Sequence, residues 1–252
     1  MPDRVQPTSL GLPAEVKVCL FDLDGVITDT AAVHSAAWAE MFDAYLQERA
    51  ERDDEKFVAF SSDDYIAHVD GKRREDGVRD FLTARDIQLP DGSPGDSPDV
   101  ETVHGLGTRK NEIVHRRIRE DGVVVFDGSV DYVRACRDAG LATAVVSSSA
   151  NAEEVLQVTG IRDLFDVIVD GKVSGELGLP GKPAPDTFVH GGRELGVEPD
   201  GAAVYEDALV GVEAGRAGGF AIVVGVDRVG QGAALKAHGA DVVVTDLAEL
   251  RS

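Results

Sequence analysis

The rhythm of apolar and polar positions changes twice along this chain. A short apolar run, Val16-Lys17-Val18-Cys19-Leu20-Phe21, reads as a buried strand. After Thr28-Asp29-Thr30, the residues Val33, Ala37, Trp38, Met41, Phe42 and Tyr45 recur at spacings of three and four, which predicts a helix. Helical, charged sequence continues to about Glu120. The breaker-rich loop Leu89-Pro90-Asp91-Gly92-Ser93-Pro94-Gly95 interrupts it. From Val123 strands and helices alternate. The predicted strands are Ala142 to Val146, Val167 to Val169, Ala202 to Tyr205, Ala221 to Val224 and Val242 to Val244. The helices between them are expected to stop at Gly140, Gly160, Gly196 and Gly218.

Alternating strands and helices imply a parallel sheet covered on both faces. The first strand most simply joins the same sheet. The expected fold is therefore α/β: a doubly wound, Rossmann-like core, residues 1–30 and 122–252, with an α-helical cap domain, residues 31–121, inserted after the first strand. Ligands bind outside the carboxyl ends of strands in such sheets, and an inserted domain is well placed to cover a site there.

Four segments put polar residues at or just beyond a predicted strand end: Asp22-Leu23-Asp24, Ser147-Ser148-Ser149, Gly181-Lys182-Pro183-Ala184-Pro185-Asp186, and Glu206-Asp207. Parallel strands bring these ends to one edge. Two carboxylates crowded at a strand end call for a metal ion or a raised pKa. Together the segments offer acids for a divalent metal, hydroxyls for a phosphate and one fixed positive charge. Each has a plainer reading alone: Asp22 and Asp24 as a solvated turn, Ser147 as a helix N-cap, Lys182 as a surface lysine, and Glu206-Asp207 as a cap for a helix starting near Ala208. All four at successive strand ends form a far more specific signal.

Composition narrows the partners. The formal net charge of -21 argues against nucleic acid and anionic membrane. An acidic protein that binds a phosphate must concentrate positive charge locally. The sequence offers Lys72-Arg73-Arg74, Arg109-Lys110 and Arg116-Arg117 with Arg119 for this, each of which also suits a solvated face. No apolar run approaches the roughly 18 residues needed to span a bilayer. Met1 to Pro13 lacks the apolar stretch of a secretory signal. Cys19 and Cys136 are expected in the core as free thiols, which fits a cytoplasmic location.

The set Asp22-x-Asp24, Ser147, Lys182-Pro183 and Glu206-Asp207 resembles the haloacid dehalogenase superfamily of phosphotransferases, from about Lys17 to Asp246. Within it the chain is similar to the β-phosphoglucomutase-like family. The run from Phe21 to Thr30 with His34 and Trp38 carries this closer likeness, as do Gly71-Lys72-Arg73-Arg74-Glu75-Asp76 and Arg109-Lys110-Asn111. The resemblance implies a Mg²⁺-dependent phosphoryl transferase. Asp22 would be the nucleophile and Asp24 the general acid and base. Ser147 and Lys182 would bind the transferring phosphoryl group. Asp22, the Asp24 carbonyl and Asp207 would hold the metal, with Glu206 as a further ligand. Thr30, His34, Arg74, Lys110, Ser148, Ser149 and Asn151 would contact a small sugar phosphate. Ala150 stands where the family often has lysine, which removes one phosphate contact.

Three functions fit this reading. The first is a mutase interconverting β-D-glucose 1-phosphate and glucose 6-phosphate through glucose 1,6-bisphosphate. The second is a sugar-phosphate phosphatase, and the third a non-catalytic sugar-phosphate sensor. Only the acceptor, water or a sugar hydroxyl, separates the first two, and the second domain's signature tilts the balance to the mutase. The protein is expected to act as a monomer.

Overall fold

The computed structural model describes residues 7–251, so Met1–Gln6, the leading part of the stretch read for a secretory signal, lies outside the described residues. The chain forms two compact units, one of residues Met1–Asp29 with Val123–Ser252 and one of residues Thr30–Gly122.

Strand β1, Val18–Phe21, is buried along its whole length. It starts two residues inside the apolar run, just after Lys17, whose N–H bonds Gly201 O ahead of β4. The helical unit follows: α1, Thr30–Asp53; α2, Ser62–Asp64, running into a π-helical turn, Tyr65–Val69; α3, Arg74–Ala84; and α4, Val103–Asp121. The periodic residues of α1 bury Ala37, Trp38, Met41, Phe42, Tyr45 and Leu46, while Val33 is half-buried. Phe42 stacks on Trp38 at 5.3 Å and meets Phe81 of α3 at 4.1 Å. Each such ring contributes about 1.5–3 kcal/mol by leaving water. Helix is less continuous here than the charged sequence suggests. Asp54 and Asp86 take positive φ after α1 and α3, and after Asp86 helix resumes only where Thr102 caps α4 through Gly105 N–H at 2.9 Å.

The rest of the chain builds the core unit with helices α5, Asp127–Asp138; α6, Ala152–Val158; α7, Gly171–Glu176; α8, Asp186–Glu194; α9, Leu209–Gly218; and α10, Gly232–His238. The strands are β2, Ala142–Val146; β3, Val167–Val169; β4, Ala202–Glu206; β5, Ile222–Val226; and β6, Val242–Val244. All pairings are parallel, in the order β3-β2-β1-β4-β5-β6. This is the doubly wound sheet the alternation predicts. Its central strands are mostly apolar because both faces are covered, with Thr143 and Glu206 as buried polar exceptions. Val18, Leu20, Val146, Val204, Phe188 and Phe220 share one cluster. Phe21 stacks on Tyr205 at 4.3 Å. Cys19 and Cys136 are buried free thiols. Gly140, Gly160 and Gly196 take the left-handed conformation after their helices, but α9 includes Gly218 and Gly219 takes the turn. Among the described residues, no helix is long and apolar enough to cross a membrane.

Register places the chemistry. Phe21 lies level with Val145 on β2 and with Tyr205 on β4. The next residues, Asp22, Val146 and Glu206, therefore meet at one edge of the sheet.

Candidate active site

Asp22 follows β1 directly, and its N–H continues the ladder to Tyr205 O at 2.9 Å. The chain then turns tightly. Gly25 N–H bonds Thr28 O at 2.7 Å, and the Ile27 and Thr28 amides both bond Leu23 O at 3.0 Å. Gly25 sits at φ 86°, where a side chain is strained. A Cβ there would also fall 1.9 Å from Asp207 Oδ2, so glycine lets the two acidic segments close on each other.

Lys182 reaches this edge from the loop before α8. Its Nζ donates to Asp22 Oδ1 at 2.5 Å, to Val146 O at 3.2 Å, and to Glu206. The Lys182 and Glu206 side chains are each 1% exposed, which excludes the surface-lysine reading. Glu206 also accepts the Ala208 N–H at 2.9 Å, ahead of α9. It both caps the helix approach and binds the lysine. Gly211 makes room for it, since a Cβ there would lie 1.9 Å from Glu206 Oε1.

One lysine between two buried carboxylates leaves the cluster short of positive charge. Burial pushes the Asp22 carboxyl well above its usual range. Lys182 opposes that shift, while Glu206 and Asp24 add to it. Burial alone would lower the Lys182 ammonium, but Asp22 and Glu206 hold it above its ordinary value. Such a site favours additional cationic charge, and its donors are hard oxygens. Hard oxygen donors are the kind that a divalent cation of the Mg²⁺ type takes. Among the described residues, no group of three or more His, Cys, Asp or Glu side chains is placed to hold a metal.

Ser147 is not a helix N-cap. Its Oγ donates to Asp24 Oδ2 at 3.2 Å and accepts Ser149 N–H at 3.0 Å, and α6 begins only at Ala152. Ser149 Oγ in turn accepts Asn151 N–H at 3.2 Å, and Asn151 is buried. Ser148, with its carbonyl packed against Gly171, completes this loop. The core unit thus brings together Asp22, Lys182 and Glu206, joins Asp24 to Ser147, and lays Asp207 against Gly25.

The helical unit holds the other sequence candidates. Thr30 is buried at the start of α1. His34 Nδ1 lies 2.6 Å from Lys110 Nζ, and that ammonium lies 4.9 Å from the centre of the Trp38 ring. Arg74 opens α3 and binds Glu75 Oε1 through Nε at 3.0 Å and Nη2 at 2.8 Å. Lys72 pairs with Asp80, and Arg116 and Arg117 both pair with Glu40.

Two residues at the core site carry no signal in the sequence motifs. Arg228, after β5, donates from Nε to Gly25 O at 2.7 Å. Gln231 Nε2 donates to Asp207 O at 3.0 Å. Their acceptors are main-chain carbonyls, which every residue has, so only the fold reveals the contacts.

A model of the haloacid dehalogenase-like hydrolases matches residues 16–219. The β-phosphoglucomutase of Mycobacterium tuberculosis is 59% identical over 251 residues, covering 98% of this chain and 96% of that protein. The β-phosphoglucomutase of Bacillus subtilis is 30% identical, covering 93% and 92% respectively. The crystal structure of β-phosphoglucomutase from Clostridium difficile aligns with a TM-score of 0.74 at 25% identity, over 93% of each chain. Family match, near-full-length identity and shared fold agree: the chain belongs to the β-phosphoglucomutase family of haloacid dehalogenase-like hydrolases.

Proposed function

We propose that this protein is a β-phosphoglucomutase, interconverting β-D-glucose 1-phosphate and glucose 6-phosphate by phosphoryl transfer through an aspartyl-phosphate enzyme. The 59% identity to a β-phosphoglucomutase along almost the whole chain carries the reading, and the composition of the strand-end site supports it. In this reading Asp22 Oδ attacks the phosphorus and the sugar oxygen leaves with the electron pair. Lys182, touching Asp22, neutralises charge on the nucleophile and on the phosphoryl oxygens. Ser147 donates to a phosphoryl oxygen. Asp24 protonates the leaving sugar oxygen, and takes a proton from the hydroxyl of a glucose monophosphate when that hydroxyl attacks the aspartyl phosphate to form the bisphosphate.

Mg²⁺ is the expected cofactor. Asp22, the Asp24 carbonyl and Asp207 would hold it, with Glu206 a less available ligand because it already binds Lys182 and the Ala208 amide. The ion would offset charge on the transferring phosphoryl group. Arg74 and Lys110 would bind the phosphate that is not being transferred, with Thr30 and His34 contacting the sugar. Ser148, Ser149 and Asn151 would shape the loop that presents Ser147. The helical unit acts in this reading as a cap domain.

³¹P NMR tests the proposal on the purified protein with Mg²⁺, β-glucose 1-phosphate and a priming amount of glucose 1,6-bisphosphate. Conversion to glucose 6-phosphate without free phosphate is the expected result. Free phosphate as the main product would replace the mutase by a phosphatase.

A further inference from the structure

The turn that carries Asp24 and follows Asp22 uses only part of its own hydrogen-bonding capacity. The Leu23 and Thr28 carbonyls close it from within. The Gly25 and Val26 carbonyls instead accept from one guanidinium. Arg228 Nε reaches Gly25 O at 2.7 Å, and Nη2 reaches Val26 O at 3.2 Å. The same group donates to Ser129 Oγ at 3.3 Å and to Thr245 O at 2.8 Å. Its plane rests on the Phe126 ring, 3.6 Å from the centroid. The side chain is 17% exposed, and Asp246 stands 3.8 Å away. A planar fork with five donors fits two adjacent carbonyls in a way that a single ammonium cannot.

The second acidic segment is tied to the same loop. Gln231, three residues on, holds Asp207 O, and the Asp207 carboxylate lies against Gly25. The loop itself is fastened by Asp227, which accepts the amides of Gly230 at 2.7 Å, Gln231 at 2.8 Å and Gly232 at 2.9 Å. One short connection after β5 thus grips both segments whose carboxylates must converge on the phosphoryl group. Phosphoryl transfer depends on such positioning, and a misplacement of about 1 Å can cost about a hundredfold in rate.

We propose that Arg228, assisted by Gln231, is a positioning residue for phosphoryl transfer, fixing the Asp22–Asp24 turn and the Asp207 segment in register with each other. It touches no substrate, and its effect passes through the Gly25 and Val26 carbonyls. The inference rests on the mutase reading, and the following experiment separates their failures.

Arg228→Ala, Arg228→Lys and Gln231→Leu are compared with wild type on β-glucose 1-phosphate and on acetyl phosphate, with thermal unfolding measured in parallel. Arg228→Ala should lower kcat by about tenfold to a hundredfold on both substrates, with KM for the sugar phosphate within about threefold of wild type. Arg228→Lys keeps the charge but loses the fork and should remain impaired. Ethylguanidinium added to Arg228→Ala should restore part of kcat. Gln231→Leu should show a smaller loss of the same pattern, and it supplies the test with Arg228→Lys if Arg228→Ala does not fold. A lowered unfolding temperature with unchanged kcat would make Arg228 merely structural and overturn the proposal, as would full activity in Arg228→Lys. Wild-type protein inactive on both substrates would overturn this inference together with the mutase reading. An active wild type with unimpaired variants would overturn this inference alone.

Discussion

The two units hold their cations differently. In the core, Lys182 is 1% exposed and pinned by two carboxylates and a carbonyl. In the helical unit, Arg74 is 28% exposed and shares one carboxylate oxygen of Glu75. The core arrangement is fixed before any substrate arrives, so its charges need little reorganisation during reaction. The Arg74 pair is half-open to water, where exchanging one anionic partner for another costs little. Each unit thus holds its cation by a different device, one rigid and one adjustable. Substitutions on either side break the comparison, from the severest effect to the mildest.

Asp22→Asn strikes the core hardest. An amide is a poor nucleophile and a weak metal ligand, yet it fills the same space and leaves Lys182 paired with Glu206. Phosphoryl transfer should fall by more than about a thousandfold, roughly 4 kcal/mol of barrier, with the unfolding midpoint little changed. Activity within about tenfold of wild type would remove Asp22 from its assigned role. Excess chelator should abolish turnover of the wild-type protein just as fully, and added Mg²⁺ should restore it. Ca²⁺ should restore it poorly, because it takes longer bonds and more ligands. Undiminished turnover in chelator would refute the metal requirement.

Lys182→Met probes the same rigidity through stability. Removing one partner of a buried cluster leaves uncompensated charge, at a cost of about 3–5 kcal/mol. Asp22 and Glu206 would face each other without their cation. The denaturant midpoint should fall accordingly, and adding Glu206→Gln to the variant should recover part of the loss. A Lys182→Met protein as stable as wild type would show that the cluster relaxes with little cost.

Much of this was legible in the sequence, for identifiable reasons. β-Strands flanked by helices on both faces are continuously apolar, so runs such as Ala142 to Val146 stand out. The acidic pairs and Lys182 follow strand ends, and the topology forces those ends together. The breaks in the helical unit were less visible. Charged residues continue past Asp53 and Ala84, and only the left-handed turns at Asp54 and Asp86 end the helices. Ser147 taken alone reads better as an N-cap, and only the fold puts its hydroxyl on Asp24. Arg228 lay beyond sequence reasoning altogether, since its carbonyl acceptors stand about two hundred positions away.

The mildest effect belongs to the helical unit and sharpens the comparison most. Arg74 is assigned to the phosphate that is not transferred, and an arginine fork makes two parallel bonds to phosphate oxygens. Glu75 engages two of its nitrogens, and Arg74 in turn holds the Glu75 carboxyl below its usual range against the opposing effect of burial. Phosphate must therefore displace or share that carboxylate, so the net gain from the contact is smaller than an unpaired arginine would give. Arg74→Ala should lower kcat/KM on β-glucose 1-phosphate by about tenfold to a hundredfold, the cost of about 1.5–3 kcal/mol for a charge-assisted contact. Acetyl phosphate has no second phosphate and should be hydrolysed as before. Equal losses on both substrates would mean that the substitution disturbs more than recognition. No loss on either would return Arg74 to a solvated helix face. Selective loss on the sugar phosphate alone would set the variant apart from Arg228→Ala, which should damage both, and would divide recognition from chemistry along the boundary between the two units.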